Sequence, residues 1–305
     1  MKMIKIHAPA NSANVGPGYD IFALALHEPC DVIEISLNDS GRITIEIENN
    51  IENIPTEIRD NSAGLATIEL FDRYGIDQGV HINIQKGMTS GGGLGTTGAS
   101  AAGVVYGLNK LLDLNLTTNE MIDCARQGEV ASGGSPHADN VAAALLGGFV
   151  LVKSYNPIDV LKLDMPNVPV VLAAIRKSQR TTRGYITYEI GQEKLKEQMA
   201  RCSMVIHAVH TQDMSEFGKA INVDYIHEPV RGAAIPNYWD TKKRILNNGA
   251  FGCTISGGGS SVIAFCPKEK QSAIAQLMEE SFSNNPHFVE VIQTFSSNEG
   301  VRVVG

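Results

Sequence analysis

The sequence predicts an α+β protein of two domains, and three observations predict it. Its 305 residues are about twice the roughly 150 that one domain takes. Strand and helix patterns mix without the regular βαβ rhythm of a doubly wound parallel sheet. With 43% hydrophobic and 19% charged residues, the chain has enough apolar material for a core and is not a disordered one.

Residues 3–7 alternate and read as a strand. Residues 30–37 and 42–47 read as two more, separated by the turn signal Asn38-Asp39-Ser40-Gly41. Residues 62–74 carry Leu65, Ile68, Leu70 and Phe71 at helical spacing and stop at Gly75. A strand at 80–84 leads into a glycine-rich stretch at 87–98, and 99–112 reads as a helix of small residues. Thr117-x-x-Glu120 is a capping box that opens a helix running to about residue 131. A helix at 136–146 and a strand at 148–153 follow. From 154 to 166 the pattern loosens, which places the domain boundary between residues 1–155 and 156–305. The second half shows a strand at 168–175, a long helix at 193–210 and another helix at 238–248. Strands at 251–255 and 261–266 flank Ser256-Gly257-Gly258-Gly259-Ser260, and a helix at 268–282 and a strand at 288–295 complete it.

The formal net charge is −8. A general nucleic-acid binder shows a basic face, and the densest basic stretch here, Arg176, Lys177, Arg180 and Arg183, is short. No apolar run approaches the roughly 20 residues of a membrane helix, and residues 1–10 lack a signal-peptide core. Neither nucleic acid nor membrane is expected as a partner, and a cytoplasmic location is. The 5 cysteines (Cys30, Cys124, Cys202, Cys253 and Cys266) lie far apart with no C-x-x-C pair. Neither a zinc site nor a disulfide frame is expected, and buried thiols are.

The strongest chemical signal is Thr89-Ser90-Gly91-Gly92-Gly93-Leu94-Gly95-Thr96-Thr97-Gly98, between a strand and a helix. Glycines permit positive φ and leave room for a phosphate to reach consecutive amides. The helix start adds free N–H groups and partial positive charge. A closely packed turn is the alternative; so many glycines ending in Thr-Thr favour a phosphate cradle. Gly93, Gly95 and Gly98 also spell G-x-G-x-x-G, but the helix runs on to Asp113-Leu114-Asn115 and a second helix, not to a parallel strand with a terminal acid. No Gly-Lys-Ser/Thr follows, so this is not a Walker A loop.

Three separated stretches, spread over nearly the whole chain, resemble the GHMP kinases, a family of small-molecule kinases. They are Ala8-Pro9-Ala10-Asn11-Ser12-Ala13-Asn14-Val15-Gly16-Pro17-Gly18-Tyr19-Asp20, the glycine loop, and Thr254-Ile255-Ser256-Gly257-Gly258-Gly259-Ser260. Two further stretches, residues 129–141 and Glu228-Pro229-Val230-Arg231 with Ile235-Pro236, favour the members that phosphorylate L-homoserine. The loop has Thr96-Thr97 where Ser-Ser is usual, and the third stretch has Gly257-Gly258-Gly259-Ser260 where Gly-Ser-Gly-Pro is usual.

The resemblance implies a ribosomal-protein-S5-like α/β domain followed by a ferredoxin-like α+β domain, with the site between them. It implies ATP and Mg²⁺, and transfer of phosphate to the homoserine hydroxyl to give O-phospho-L-homoserine for threonine synthesis. By resemblance, Ser90, Gly91, Gly92, Gly93, Leu94, Gly95, Thr96, Thr97 and Gly98 hold the phosphates, and Asn61 and Lys86 contact adenine. Glu129 and Thr97 hold the metal. Arg183 and Arg231 clamp the acceptor carboxylate, while Asn14, Asp20, His137, Asp139 and Asn140 meet its hydroxyl and ammonium. Asn140 and Asp20 aim the hydroxyl; Asp139 is the candidate base. Two alternatives remain: a kinase for a mevalonate-like hydroxy acid, and a nucleotide-binding sensor without turnover. Arg231 favours the amino acid over the first, and Glu129, Asp139 and the loop hydroxyls favour turnover over the second. A homodimer is left open.

Overall fold

The computed structural model describes residues 2–176 and 190–304. The first sheet holds β1 (Met3–Ala13), β2 (Phe22–Asn38), β3 (Ile43–Glu48), β4 (Gly79–Gln85), β5 (Phe149–Tyr155), β6 (Ile158–Leu163) and β11 (Arg302–Val303). Its order is β11-β1-β2-β4-β3, with β5 on the other end of β2 and β6 beside β5. Only β3 and β4 run parallel among these pairs. Helices α1 (Ser62–Tyr74), α2 (Thr96–Leu111), α3 (Thr118–Ala125), α4 (Val130–Gly133) and α5 (Asp139–Leu146) belong to this half. The second sheet holds β7 (Pro169–Ile175), β8 (Gly252–Ser256), β9 (Ser261–Phe265) and β10 (Phe288–Phe295). Its helices are α6 (Gln192–Thr211), α7 (Met214–Ile221), α8 (Glu228–Gly232), α9 (Tyr238–Asn247) and α10 (Gln271–Phe282).

The second sheet has the order β10-β7-β9-β8, antiparallel throughout. With α6 to α9 between β7 and β8 and α10 between β9 and β10, this is the ferredoxin-like βαββαβ arrangement. The two halves share one apolar core. Phe22, Phe149, Phe217 and Phe265 form a chain of ring contacts across it, with centroids 5.1, 6.2 and 5.1 Å apart.

Several elements differ from the sequence expectation. β1 and β2 extend well beyond 3–7 and 30–37, because Ala8–Ala13 and Phe22–Leu26 are buried at every residue and show no alternation to read. α2 begins three residues early, at Thr96, after Gly95 in the left-handed region. It lies close on the sheet: a Cβ on Gly103 or Gly107 would sit 2.5 Å from Ile33 Cδ1 or Ile35 Cδ1. The capping box is present, but its helix gives way to a 3-10 turn at Arg126–Glu129, and α5 starts at Asp139 instead of 136. The loosened stretch holds a strand, β6, which completes a hairpin of the first sheet. We therefore propose the division between halves at 164–168, not at 155/156. α7, α8 and β11 have no counterpart in the sequence expectation.

All five cysteines are free thiols, three buried and two half-buried. Burial pushes the thiols of Cys124, Cys202 and Cys266 up to about 11 and that of Cys253 to about 12. Among the described residues no helix is long and apolar enough to cross a membrane.

Candidate active site

The glycine loop is held from three sides. At its entry, Asp31 of β2 is wholly buried and accepts from the amides of Gly87 (3.0 Å) and Met88 (3.3 Å) through Oδ1. Its other oxygen pairs with Lys86 Nζ, which also donates to Thr96 Oγ1 and, at 3.1 Å, to Ser100 Oγ. This buried pair ties β2, the end of β4 and the first turns of α2 together. Removing one partner of such a pair costs about 3–5 kcal/mol, while replacing both with apolar groups is often near neutral. Asp31→Asn should therefore lower the free energy of unfolding by that amount, read as a lower urea midpoint at an unchanged m-value, and Asp31→Leu with Lys86→Met should recover only part of it, because the Gly87 and Met88 amides lose their acceptor.

On the second side, the Asn11 amide donates to the Leu94 carbonyl at 3.0 Å. A Cβ on Gly95 would lie 2.0 Å from Asn11 Oδ1. On the third side, Ser256 Oγ donates to the Gly93 carbonyl (2.6 Å) and Ser261 Oγ to that of Gly92 (2.8 Å). Ser12 Oγ lies 2.8 Å from Ser256 Oγ, and the Gly257 amide donates to the Ala13 carbonyl at 2.9 Å. The three sequence stretches thus meet at the loop. Gly91, Gly93 and Gly95 all have left-handed φ, and a Cβ on Gly91 would point into open space. The amide of Ser90 donates to Glu52, whose carboxylate also takes the Arg176 guanidinium.

Beside the loop, a cavity of about 280 Å³ opens between the end of β3, residues 49–54 and residues 85–89. A recess of about 40 Å³ adjoins it, lined by Asn61, Lys86, Ser90, Thr96, Thr97 and Ser100 among others. Two residues expected to contact adenine have structural partners here. Asn61 caps α1, accepting from the amides of Ala63 and Gly64 and donating to the Pro55 carbonyl. The Lys86 ammonium is turned into the Asp31 pair. Asn61 directly before a helical pattern is an N-cap signal already visible in the sequence.

The residues expected to meet the acceptor gather around Asn14, Asp20 and the start of α5. Asn14 and Asp20 both have left-handed φ, and Asn14 Oδ1 accepts from the Asp20 amide at 2.8 Å. His137 Nδ1 sits 3.3 Å from Asp20 Oδ1, and Tyr155 donates to the Asp20 carbonyl. Asp139 and Asn140 open α5, both buried, with the Asn140 amide donating to Asp139 Oδ1 at 2.9 Å. A Cβ on Gly98 would be 2.9 Å from Asn140 Cβ, so the first turns of α2 and α5 touch.

Arg231 is buried on α8, and a Cβ on Gly259 of the third stretch would approach its Cβ to 3.2 Å. At the other end of this short helix, Glu228 pairs with Lys242 and Tyr238. Burial raises the Glu228 carboxyl, and Lys242 and Tyr238 act against that rise. Glu129 is buried beside Gly128, whose Cβ would meet the Ser62 carbonyl and Ala101 Cβ. Ala101 is one turn along α2 from Thr97, on the same face. Arg183 lies outside the described residues. Asp31, Glu52 and Ser261 were not singled out from the sequence, and Ser12 and Ser256 stood in the quoted stretches without a role. An acid set directly before Val32 and Ile33 in a strand pattern was the available signal for the first.

Residues 61–148 match the model of the GHMP kinases N terminal domain, and 205–284 that of the GHMP kinases C terminal domain. The chain is 36% identical over 293 residues to the homoserine kinase of Methanococcus vannielii, covering 95% of this chain and 97% of that one. This chain belongs to the GHMP kinase family. Its fold overlays the crystal structure of homoserine kinase from Cytophaga hutchinsonii with a TM-score of 0.89 at 32% identity, covering 100% of this chain and 98% of the other. The mevalonate kinase of L. major shares the fold, with a TM-score of 0.73 at 16% identity, covering 97% and 96%. As a GHMP kinase, the chain is an enzyme that takes ATP as phosphate donor.

Proposed function

We propose that this GHMP kinase transfers the γ-phosphoryl group of ATP to the hydroxyl of L-homoserine, giving O-phospho-L-homoserine and ADP. The contact between Gly98 and Asn140 carries this reading, because it sets the phosphate loop's helix start against the acceptor cluster. The near full-length match to homoserine kinases supports the choice of acceptor.

In this reading the loop amides and the start of α2 hold the triphosphate, and the cavity beside β3 takes the adenosine end. Arg231 reads the acceptor carboxylate as a charge-assisted hydrogen-bond donor. Asn140 and Asp20 aim the hydroxyl oxygen at the γ-phosphorus; its bond to phosphorus forms as the bond to the β-phosphate oxygen breaks, ADP leaves, and the hydroxyl proton is released to solvent. His137 fixes Asp20, and Asp139, wholly buried, fixes Asn140 through its amide. Positioning and charge stabilisation supply most of the rate in phosphoryl transfer.

Glu129 and Thr97 fit a divalent cation: one buried carboxylate and one hydroxyl beside a phosphate loop is the sparse, hard-oxygen set that Mg²⁺ takes. Mg²⁺ bound there would neutralise phosphate charge. Glu129→Gln should raise the Mg²⁺ concentration needed for half-maximal rate and lower kcat while leaving the thermal midpoint in place. An unchanged Mg²⁺ dependence would remove Glu129 from the site. The acceptor is tested by coupled ADP release across homoserine, mevalonate, shikimate, pantoate and galactose. Turnover fastest on homoserine is expected; a preference for mevalonate, or ATP binding without turnover on any of them, would overturn the proposal.

A further inference from the structure

Along the first half of α6, Gln198 is the buried residue, and it is polar, not apolar. It belongs to none of the motifs. Its side-chain amide is engaged at both ends. Nε2 donates to the Pro17 carbonyl and to Asp224 Oδ1, each at 2.8 Å, and Oε1 accepts from the Tyr225 amide at 2.8 Å.

These partners belong to the two walls of the acceptor site. Pro17 sits in the turn between Asn14 and Asp20. Asp224 accepts from the amides of Ile226 (2.9 Å), His227 (3.1 Å) and Glu228 (2.7 Å), and so fixes the entry to α8, the helix that carries Arg231. A ring contact runs in parallel: Tyr19, next to Asp20, stacks on His227 with centroids 5.4 Å apart and planes at 25°. Among the described residues, one amide and one stacked pair thus join the acceptor turn to the mount of Arg231.

The chemistry of the position explains why the residue is an amide. Two acceptors, a carbonyl and a carboxylate, face one end, and an N–H faces the other. Only a neutral side chain with two donors and an acceptor serves all three. An ionised glutamate of the same length would set a charge against Asp224 and leave the Pro17 carbonyl without this donor, whereas its protonated form could restore one bond. Cys202 Sγ, 3.4 Å from the same Pro17 carbonyl, is a weak donor and no substitute.

We infer that Gln198 is a positioning residue for the acceptor, setting the distance between Asp20 and Arg231 without touching substrate. The inference rests on the proposed reading of Asp20 and Arg231 as acceptor contacts. It separates two roles that burial alone would not distinguish. A residue needed only for packing would weaken the fold as a whole. A residue that spans the two walls would act on the acceptor and spare the nucleotide, because Gln198 does not line the cavity proposed for the adenosine end.

The test compares Gln198→Met and Gln198→Glu with the wild type in the full chain, measuring KM for homoserine, KM for ATP and kcat from pH 6 to 8.5, with Arg231→Leu alongside. Gln198→Met should raise the homoserine KM about tenfold, the loss expected for one hydrogen bond to a charged group, with the ATP KM within about twofold of wild type. Gln198→Glu should show a homoserine KM whose ratio to wild type falls toward pH 6, as the carboxyl gains a proton and can donate again, and rises toward pH 8.5. That internal pH comparison decides the matter even where the methionine variant folds poorly. Homoserine KM values equal to wild type, or homoserine and ATP KM values rising together with no pH dependence, would overturn the inference. If Arg231→Leu raises the homoserine KM and the Gln198 variants do not, the positioning role alone fails. If Arg231→Leu leaves it unchanged, the reading of the acceptor site fails first and the inference with it.

Discussion

Arg231→Leu is expected to lower kcat/KM for homoserine by on the order of a hundredfold or more, with the KM for ATP nearly unchanged. A charge-assisted hydrogen bond contributes about 1.5–3 kcal/mol, and about 1.4 kcal/mol is a factor of ten, so two such bonds reach that range. The loss falls on the acceptor because Arg231 is not among the residues that line the cavity at 47–54 and 85–89. Homoserine esters, which lack the carboxylate charge, supply the control. The wild type should discriminate against them by a similar factor, and the leucine variant far less. Comparing acid and ester with both proteins isolates the interaction as a double-mutant cycle does. A variant that prefers the acid as strongly as the wild type would show that Arg231 does not read the carboxylate.

Gly95→Val is expected to abolish measurable ATP binding and to destabilise the fold as well. From the sequence, a glycine here serves the close approach of a phosphate. The structure shows a different neighbour: a Cβ at this position would run into the side chain of Asn11, at a φ of +64°. Left-handed strain of about 1–3 kcal/mol adds to overpacking of about 1–3 kcal/mol. Gly92→Ala is the matched control. Its φ is not left-handed, and its Cβ would come no closer than 3.2 Å to the Thr89 carbonyl. It should keep the thermal midpoint within a few degrees and weaken ATP binding less than about tenfold, an effect small beside the first. Equal losses in the two variants would show that the Asn11 contact is not what Gly95 protects.

What could be read in the sequence was local. α1 was legible from its apolar spacing and from Gly75, which ends it in the left-handed conformation. The Thr117–Glu120 box and the strand–loop–helix setting of the glycines were legible because their signals lie within a few residues of one another. The remainder depends on partners far apart in the chain. Asp31 and Lys86 lie 55 residues apart, and Ser12 and Ser256 lie 244 apart. No spacing rule brings such pairs together. α8 is five residues long and opens with a proline in its first turn, too short for a helical period to show. The site residues at 14, 20, 137, 139, 140 and 231 were marked by resemblance; the structure supplies their contacts, and their roles are what the proposed experiments measure.

The pairing of β11 with β1 has a consequence for how the chain is made. Ile6 and His7 find their partners in Val303 and Arg302. At about 5–20 residues per second, a ribosome needs roughly 15–60 s to deliver the second strand after the first. Through that interval the outer edge of β1 carries unpaired amides and carbonyls. An exposed strand edge is a template for pairing with other chains. During synthesis, that edge is therefore open to pairing with another chain until the last residues arrive.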